Sequence, residues 1–131
     1  MKLSIKPGST SVSLLIFIQD STSTTGAGKT GLLFNTASLV AYYARPGVAA
    51  AAITLVTQTV TGAYSSGGFV EIDATNMPGL YRFDIPNAAI DTGVRSVVVM
   101  LKGATGMAPL PLEIDLNSET NVTHFGGTAG T

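Results

Sequence analysis

The sequence predicts an all-β domain, a two-sheet antiparallel sandwich, and three observations carry that expectation. Apolar residues recur with a period of two along nearly the whole chain, as half-buried strands require. Turn signals rich in Gly, Pro, Asn and Ser interrupt them about every ten residues. The length of 131 residues, 13.4 kDa, suffices for one core and not for two.

The elements follow in order. Residues 12–19 carry a nearly continuous apolar run, which suits a strand covered on both faces. A loop by composition at 21–28 precedes short strands at 32–34 and 39–43, and Arg45-Pro46-Gly47 breaks the second as a turn. Residues 53–60, dense in β-branched side chains, predict one strand. Ser65-Ser66-Gly67-Gly68 turns into a short strand at 69–73, and Asn76-Met77-Pro78-Gly79 makes a tight reversal. Tyr81, Phe83 and Ile85 then alternate with Arg82 and Asp84, one face in and one face out, with Arg82 expected to meet an acid across the sheet. Residues 86–91 predict the only helical turn, with Pro86 at its start and Gly93 beyond its end. Residues 97–101 read as a buried strand. Leu110, Leu112, Ile114 and Leu116 alternate with Pro111, Glu113 and Asp115, and Pro111 argues for a sheet edge.

Seven to eight such strands suit the immunoglobulin-like sandwich, with a small barrel as the alternative. Residues 117–131 carry no periodicity, so the chain divides into a sandwich at 1–116 and a flexible C-terminal tail at 117–131.

Composition narrows the function classes. Charged residues are 11%, against roughly 25% in an ordinary soluble domain. Their place is taken by 17 Thr, 11 Ser, 15 Gly and 15 Ala. The net charge of −1 leaves no electrostatic footprint for nucleic acid or an anionic membrane. No window approaches the ~20 apolar residues of a membrane span, and the opening apolar run is too short for a secretory signal. With no Cys, no thiolate chemistry or disulfide is available.

No constellation points to catalysis, a cofactor or a metal. Gly26-Ala27-Gly28-Lys29-Thr30 resembles the end of a phosphate-binding loop, but that motif needs Gly at position 23, which is Ser. A flexible Ser/Thr/Gly loop is the reading that remains. His124 is the only histidine, so a single chain holds no histidine triad or His-rich metal site. The acid pairs Glu71/Asp73 and Glu113/Asp115 sit at i, i+2 spacing and predict solvated strand faces. Scattered aromatics without Trp make no stacking platform.

Three stretches carry a family resemblance. They are Thr25-Gly26-Ala27-Gly28-Lys29-Thr30-Gly31-Leu32, Ala41-Tyr42-Tyr43-Ala44-Arg45-Pro46-Gly47, and the run from Tyr64 through Gly79-Leu80-Tyr81-Arg82-Phe83-Asp84-Ile85-Pro86. From Thr24 to Leu116 the chain resembles an immunoglobulin-like module of tailed-bacteriophage virion proteins, of the type found at the N-terminus of fibre and baseplate upper proteins. The resemblance implies a non-enzymatic structural protein of the virion, docked in multiple copies on other virion proteins as a symmetric homo-oligomer. Two placements follow: fibre attachment at the tail or baseplate, or decoration of the major capsid protein. No stalk or receptor-binding head follows the module, so a free-standing module is expected. The alternative is a carbohydrate-binding or host-adhesion module on the virion surface, contacting glycans through loops at 65–68 and 103–106.

The candidate partner-binding residues are Val122, Thr123, His124 and Phe125. Val122 and Phe125 are spaced to anchor the C-terminal tail on a neighbouring subunit, with Thr123 and His124 hydrogen-bonding beside them.

Overall fold

The structure, a computed structural model, describes residues 1–117. Among these, nine strands form two facing sheets: β1 (Lys2–Ile5), β2 (Ser13–Phe17), β3 (Val40–Ala44), β4 (Ala51–Ile53), β5 (Val56–Thr57), β6 (Gly68–Asp73), β7 (Met77–Asp84), β8 (Ser96–Lys102) and β9 (Leu110–Leu116). The five-stranded sheet has the order β1-β9-β8-β3-β4, and the four-stranded sheet the order β2-β7-β6-β5. The all-β sandwich is therefore as predicted, with one strand more than the upper expectation. The sheets are mixed rather than antiparallel throughout, because β1 pairs parallel with β9 and β5 pairs parallel with β6.

The core lies between the inner faces. Ile16 of β2, Phe69 of β6 and Tyr81 and Phe83 of β7 face Val97, Val99 and Leu101 of β8 and Leu112 and Ile114 of β9. The Phe69 and Tyr81 rings stack with centroids 4.9 Å apart, an arrangement that adds to plain area burial. The expected helical turn is a 3-10 turn at Asn87–Ile90, which drives Ala89 and Ile90 into the core. Its closing carbonyls would lack partners, and Arg45 supplies them. The guanidinium donates to the carbonyls of Ala89 at 3.1 Å, Asp91 at 3.0 Å and Thr92 at 2.8 Å.

Local readings of strands and turns fail in six places. The reversal expected at 76–79 lies at 74–76 instead, because Met77 pairs with Asp73 and Met77-Pro78-Gly79 open β7. Residues 32–34 are not a strand. Their region's amides are taken by side chains instead: Gly31 donates to Glu71, Leu32 to the Tyr81 hydroxyl and Leu33 to Thr36. Residues 53–60 do not form one strand either. The chain leaves the five-stranded sheet after Ile53 and enters the other sheet at Val56, passing Gly67 so closely that a Cβ there would lie 2.1 Å from the Thr54 carbonyl oxygen. β1 was not expected, although Leu3 and Ile5 alternate with Lys2 and Ser4. Pro111 sits on an interior strand. Its carbonyl accepts from the Met1 amino group, and the Glu113 amide donates to Met1, so position 111 turns its main chain toward β1 and away from β8. The missing N–H falls where β1 begins and costs the ladder no bond to β8. Finally, β2 is covered on one face only, with Leu15 and Phe17 exposed on the other.

Candidate functional site

Two features of the outer surfaces merit comparison as sites: a polar network on the four-stranded sheet and an apolar field on the five-stranded one.

The network is centred on Arg82 and Asp84, which alternation places on the outer face of β7. They are not solvated: Arg82 is 7% exposed and Asp84 0%. Nor does Arg82 reach an acid across the sheet, as expected; it pairs with Asp84 two residues along its own strand, Nε to Oδ1 at 2.9 Å. Residues 58–66 lie across this face and bury the pair. Arg82 Nη1 donates to the carbonyls of Thr59, Val60 and Gly62 at 3.0, 3.2 and 2.8 Å. Asp84 accepts from Ser13 Oγ at 2.7 Å, Gln58 Nε2 at 2.7 Å and the Ser65 amide at 2.9 Å. Tyr64 closes the segment by donating to the Ile85 carbonyl at 2.7 Å. Burial alone would raise the Asp84 carboxyl; the bonds from Arg82, Ser65, Ser13 and Gln58 outweigh it and hold the carboxyl below its usual range. A carboxylate so fully engaged is an anchor for the covering segment rather than a free base.

The Gly26–Thr30 motif is anchored as well. Gly28 bridges to Gln19, the Lys29 amide donates to Ile18, and the Lys29 carbonyl accepts from the Tyr81 hydroxyl at 2.7 Å. A Cβ on Gly28 would lie 2.2 Å from the Pro78 carbonyl oxygen, so the glycine allows close backbone approach within the fold. Tyr81, buried beneath this loop, has its phenol pushed up to about 12; burial is the main cause, the Leu32 amide opposes it and Glu71 adds to it.

The acid pairs part company. Glu113 and Asp115 are exposed on the outer face of β9, as expected. Glu71 and Asp73 are half-buried, and the register shifts between them. Glu71 accepts from the Gly31 amide, while Asp73 caps the turn through the Thr75 and Asn76 amides. Among the described residues no group of three His, Cys, Asp or Glu is placed to hold a metal ion, and no helix is long and apolar enough to cross a membrane. The loops proposed as a joint glycan contact sit at opposite ends of the sandwich. Residues 65–68 lie beside the end of β7, where the Gly67 amide donates to Asp84; Gly106 lies at the other end, accepting from the Ser21 amide. Val122, Thr123, His124 and Phe125 fall outside the described residues.

The apolar field occupies the outer face of the five-stranded sheet. Val40 and Tyr42 of β3 and Val98 of β8 are exposed there, Tyr42 at 42%. Register sets Tyr42 beside Met100 on one side and Ala52 on the other, and Ala44 beside Val98. A shallow cleft of about 250 Å³ runs among Tyr42, Tyr43, Ala44, Ala50, Val98 and Met100, with Lys102 at its margin. An apolar sheet face rimmed by a few polar groups is the physical form of a contact surface for another macromolecule. Alternation alone missed it, because residues 97–101 read as buried on both faces. No family model, curated protein or solved structure matches the chain.

Proposed function

We propose that the chain is a non-enzymatic structural module of a tailed-bacteriophage virion, docked in multiple copies on other virion proteins. The observation that carries docking is the apolar field of exposed Val40, Tyr42 and Val98, with half-buried Met100 beside them. The assignment to a phage particle rests on the sequence resemblance of residues 24–116.

The finer, immunoglobulin-like form of the sandwich belongs to the same reading. The order β2-β7-β6 matches the B-E-D order of that fold, and β9-β8-β3 matches its G-F-C order, with β4 in the place of the added strand of variable-type domains. The low charge content favours close packing on a neighbour, since few ions lose their water there. Tail or baseplate attachment and capsid decoration both remain placements of this one function.

Quantitative mass spectrometry of purified particles tests it. Hundreds of copies per particle mean capsid decoration and about a dozen mean the tail; absence from purified particles overturns the proposal. Val98→Lys, placed on the solvent side of β8, should reduce incorporation while leaving the isolated domain's melting temperature within a few degrees of wild type.

A further inference from the structure

Among the described residues, β2 forms an open edge of the four-stranded sheet, with β7 as its only strand neighbour. The Ile18 amide donates to Gly79 and the Ile85 amide to Val12. By the alternation of an antiparallel ladder, residues 12, 14 and 16 turn their main-chain groups to β7, as does the Ile18 amide, while the Ile18 carbonyl accepts from Lys29. Ser13, Leu15 and Phe17 therefore turn theirs outward. The same three residues carry their side chains on the outer face, where Leu15 is 56% and Phe17 42% exposed. Bonding groups and apolar side chains thus coincide along one rim.

The other sheet edges are blunted. β1 begins with Lys2 and runs into Lys6 and Pro7, β4 has three residues and β5 two. β2 has five residues, Ser-Leu-Leu-Ile-Phe, with no charge, no proline and an unbroken register. Proteins that keep such an edge away from other chains ordinarily place a charge, proline or bulge on it.

We propose that β2 pairs antiparallel with β2 of a second copy of this chain, about a twofold axis at Leu15, joining two four-stranded sheets edge to edge. The register is self-complementary. Leu15 faces its own counterpart, and Ser13 of each copy faces Phe17 of the other, so a small side chain meets the large ring in both directions. Every outward amide and carbonyl of the strand finds a partner. No charged side chain is set against its copy, which would otherwise cost stability. The contact is isologous and closes at two copies rather than propagating. It does not rest on the virion reading, and the two fail separately: copy number per particle is silent on this edge.

Sedimentation of the full chain across micromolar to millimolar concentration tests the pairing. Wild type should form dimers. Leu15→Lys and Leu15→Glu should each weaken association by at least about tenfold, by setting like charges opposite one another, and an equimolar mixture of the two should restore it. Val98→Lys should leave it unchanged. In wild type, the amides of Ser13, Leu15 and Phe17 should exchange more slowly as concentration rises, which reads the pairing without any substitution. A wild-type chain that stays monomeric at about 1 mM, where even weak pairing registers, overturns the proposal. So does association lost in Val98→Lys but kept in Leu15→Lys, or a mixture of folded charge variants that remains monomeric.

Discussion

Replacing Asp84 with asparagine keeps the side chain's shape and removes its charge, which isolates the electrostatic part of the network beneath residues 58–66. Oδ1 accepts from Arg82 Nε and Ser13 Oγ, and Oδ2 from Gln58 Nε2, the Ser65 amide and Arg82 Nη2. Turned one way, the asparagine NH₂ meets Arg82 Nε; turned the other, it meets Gln58 and Ser65. The Ser13 hydroxyl can reverse to accept, whereas a flip of the Gln58 amide would break its bonds to the Ala63 carbonyl and the Thr59 amide. The substitution also leaves the guanidinium of Arg82, 7% exposed, without its counter-charge. Removing one partner of a buried pair costs about 3–5 kcal/mol. For a domain of this size that lowers the melting temperature by roughly 10–20 °C. The pH dependence carries a sign. The Asp84 carboxyl titrates lower folded than unfolded, so its contribution is complete above the unfolded pKa near 4 and is lost as pH falls through the lower folded value. Asp20, held down chiefly by the Thr22 side chain and amide, and Asp73, held down by Asn76, add to the acid loss in both proteins and cancel in the difference. Thermal melts of wild type and Asp84→Asn from pH 8 to 2 should show a wide gap that narrows below about pH 4. A gap under about 1 kcal/mol at pH 7, or one that stays constant into acid, would refute the anchoring role.

Three further outcomes follow from the geometry. Tyr81→Phe removes the donor to Lys29 and the acceptor of Leu32, and should cost about 1–3 kcal/mol in denaturant melts. In wild type the Tyr81 phenol, pushed up to about 12, favours the neutral ring in the folded state, so this contribution is intact below about pH 10 and lost as pH rises toward 12; ultraviolet titration should lose its highest tyrosinate step in the variant. Gly28→Ala drives a Cβ to 2.2 Å from the Pro78 carbonyl oxygen and should lower stability by about 1–3 kcal/mol or more; an unchanged melting temperature would remove the close-approach account of this motif. Arg45→Ala strips the carbonyls of Ala89, Asp91 and Thr92 of their shared donor, and should speed amide exchange across residues 87–94 at a cost of about 1–3 kcal/mol.

The C-terminal half of the sandwich was legible from the chain itself. Tyr81, Phe83, Leu112 and Ile114 alternate with Arg82, Asp84, Glu113 and Asp115, and each reached the core that a period of two assigned it, while Val97 and Val99 reached it from a run that read as buried on both faces. The 3-10 turn was legible too, since Pro86 and Gly93 bracket it by backbone chemistry alone. What misled was local apolarity without its context. Residues 32–34 look like a strand, but their amides meet the Tyr81 hydroxyl and the Thr36 side chain, partners that tertiary packing supplies. The run 53–60 looks continuous, yet its two ends belong to opposite sheets.

The candidate sites were hidden for the same reason. A period of two separates the faces of a strand, but it does not say what covers each face, because the cover comes from segments distant in sequence. Arg82 and Asp84 alternate as solvent-facing residues and are buried by residues 58–66, whose carbonyls receive the guanidinium. Val98, Leu15 and Phe17 read as buried in continuous apolar runs and are exposed because no segment of residues 1–117 crosses over them. Chain alternation determined the class of fold and most of its inner face. The tertiary structure decided which outer faces are covered and which edge stays open, because coverage is a long-range property of packing and no local pattern encodes it.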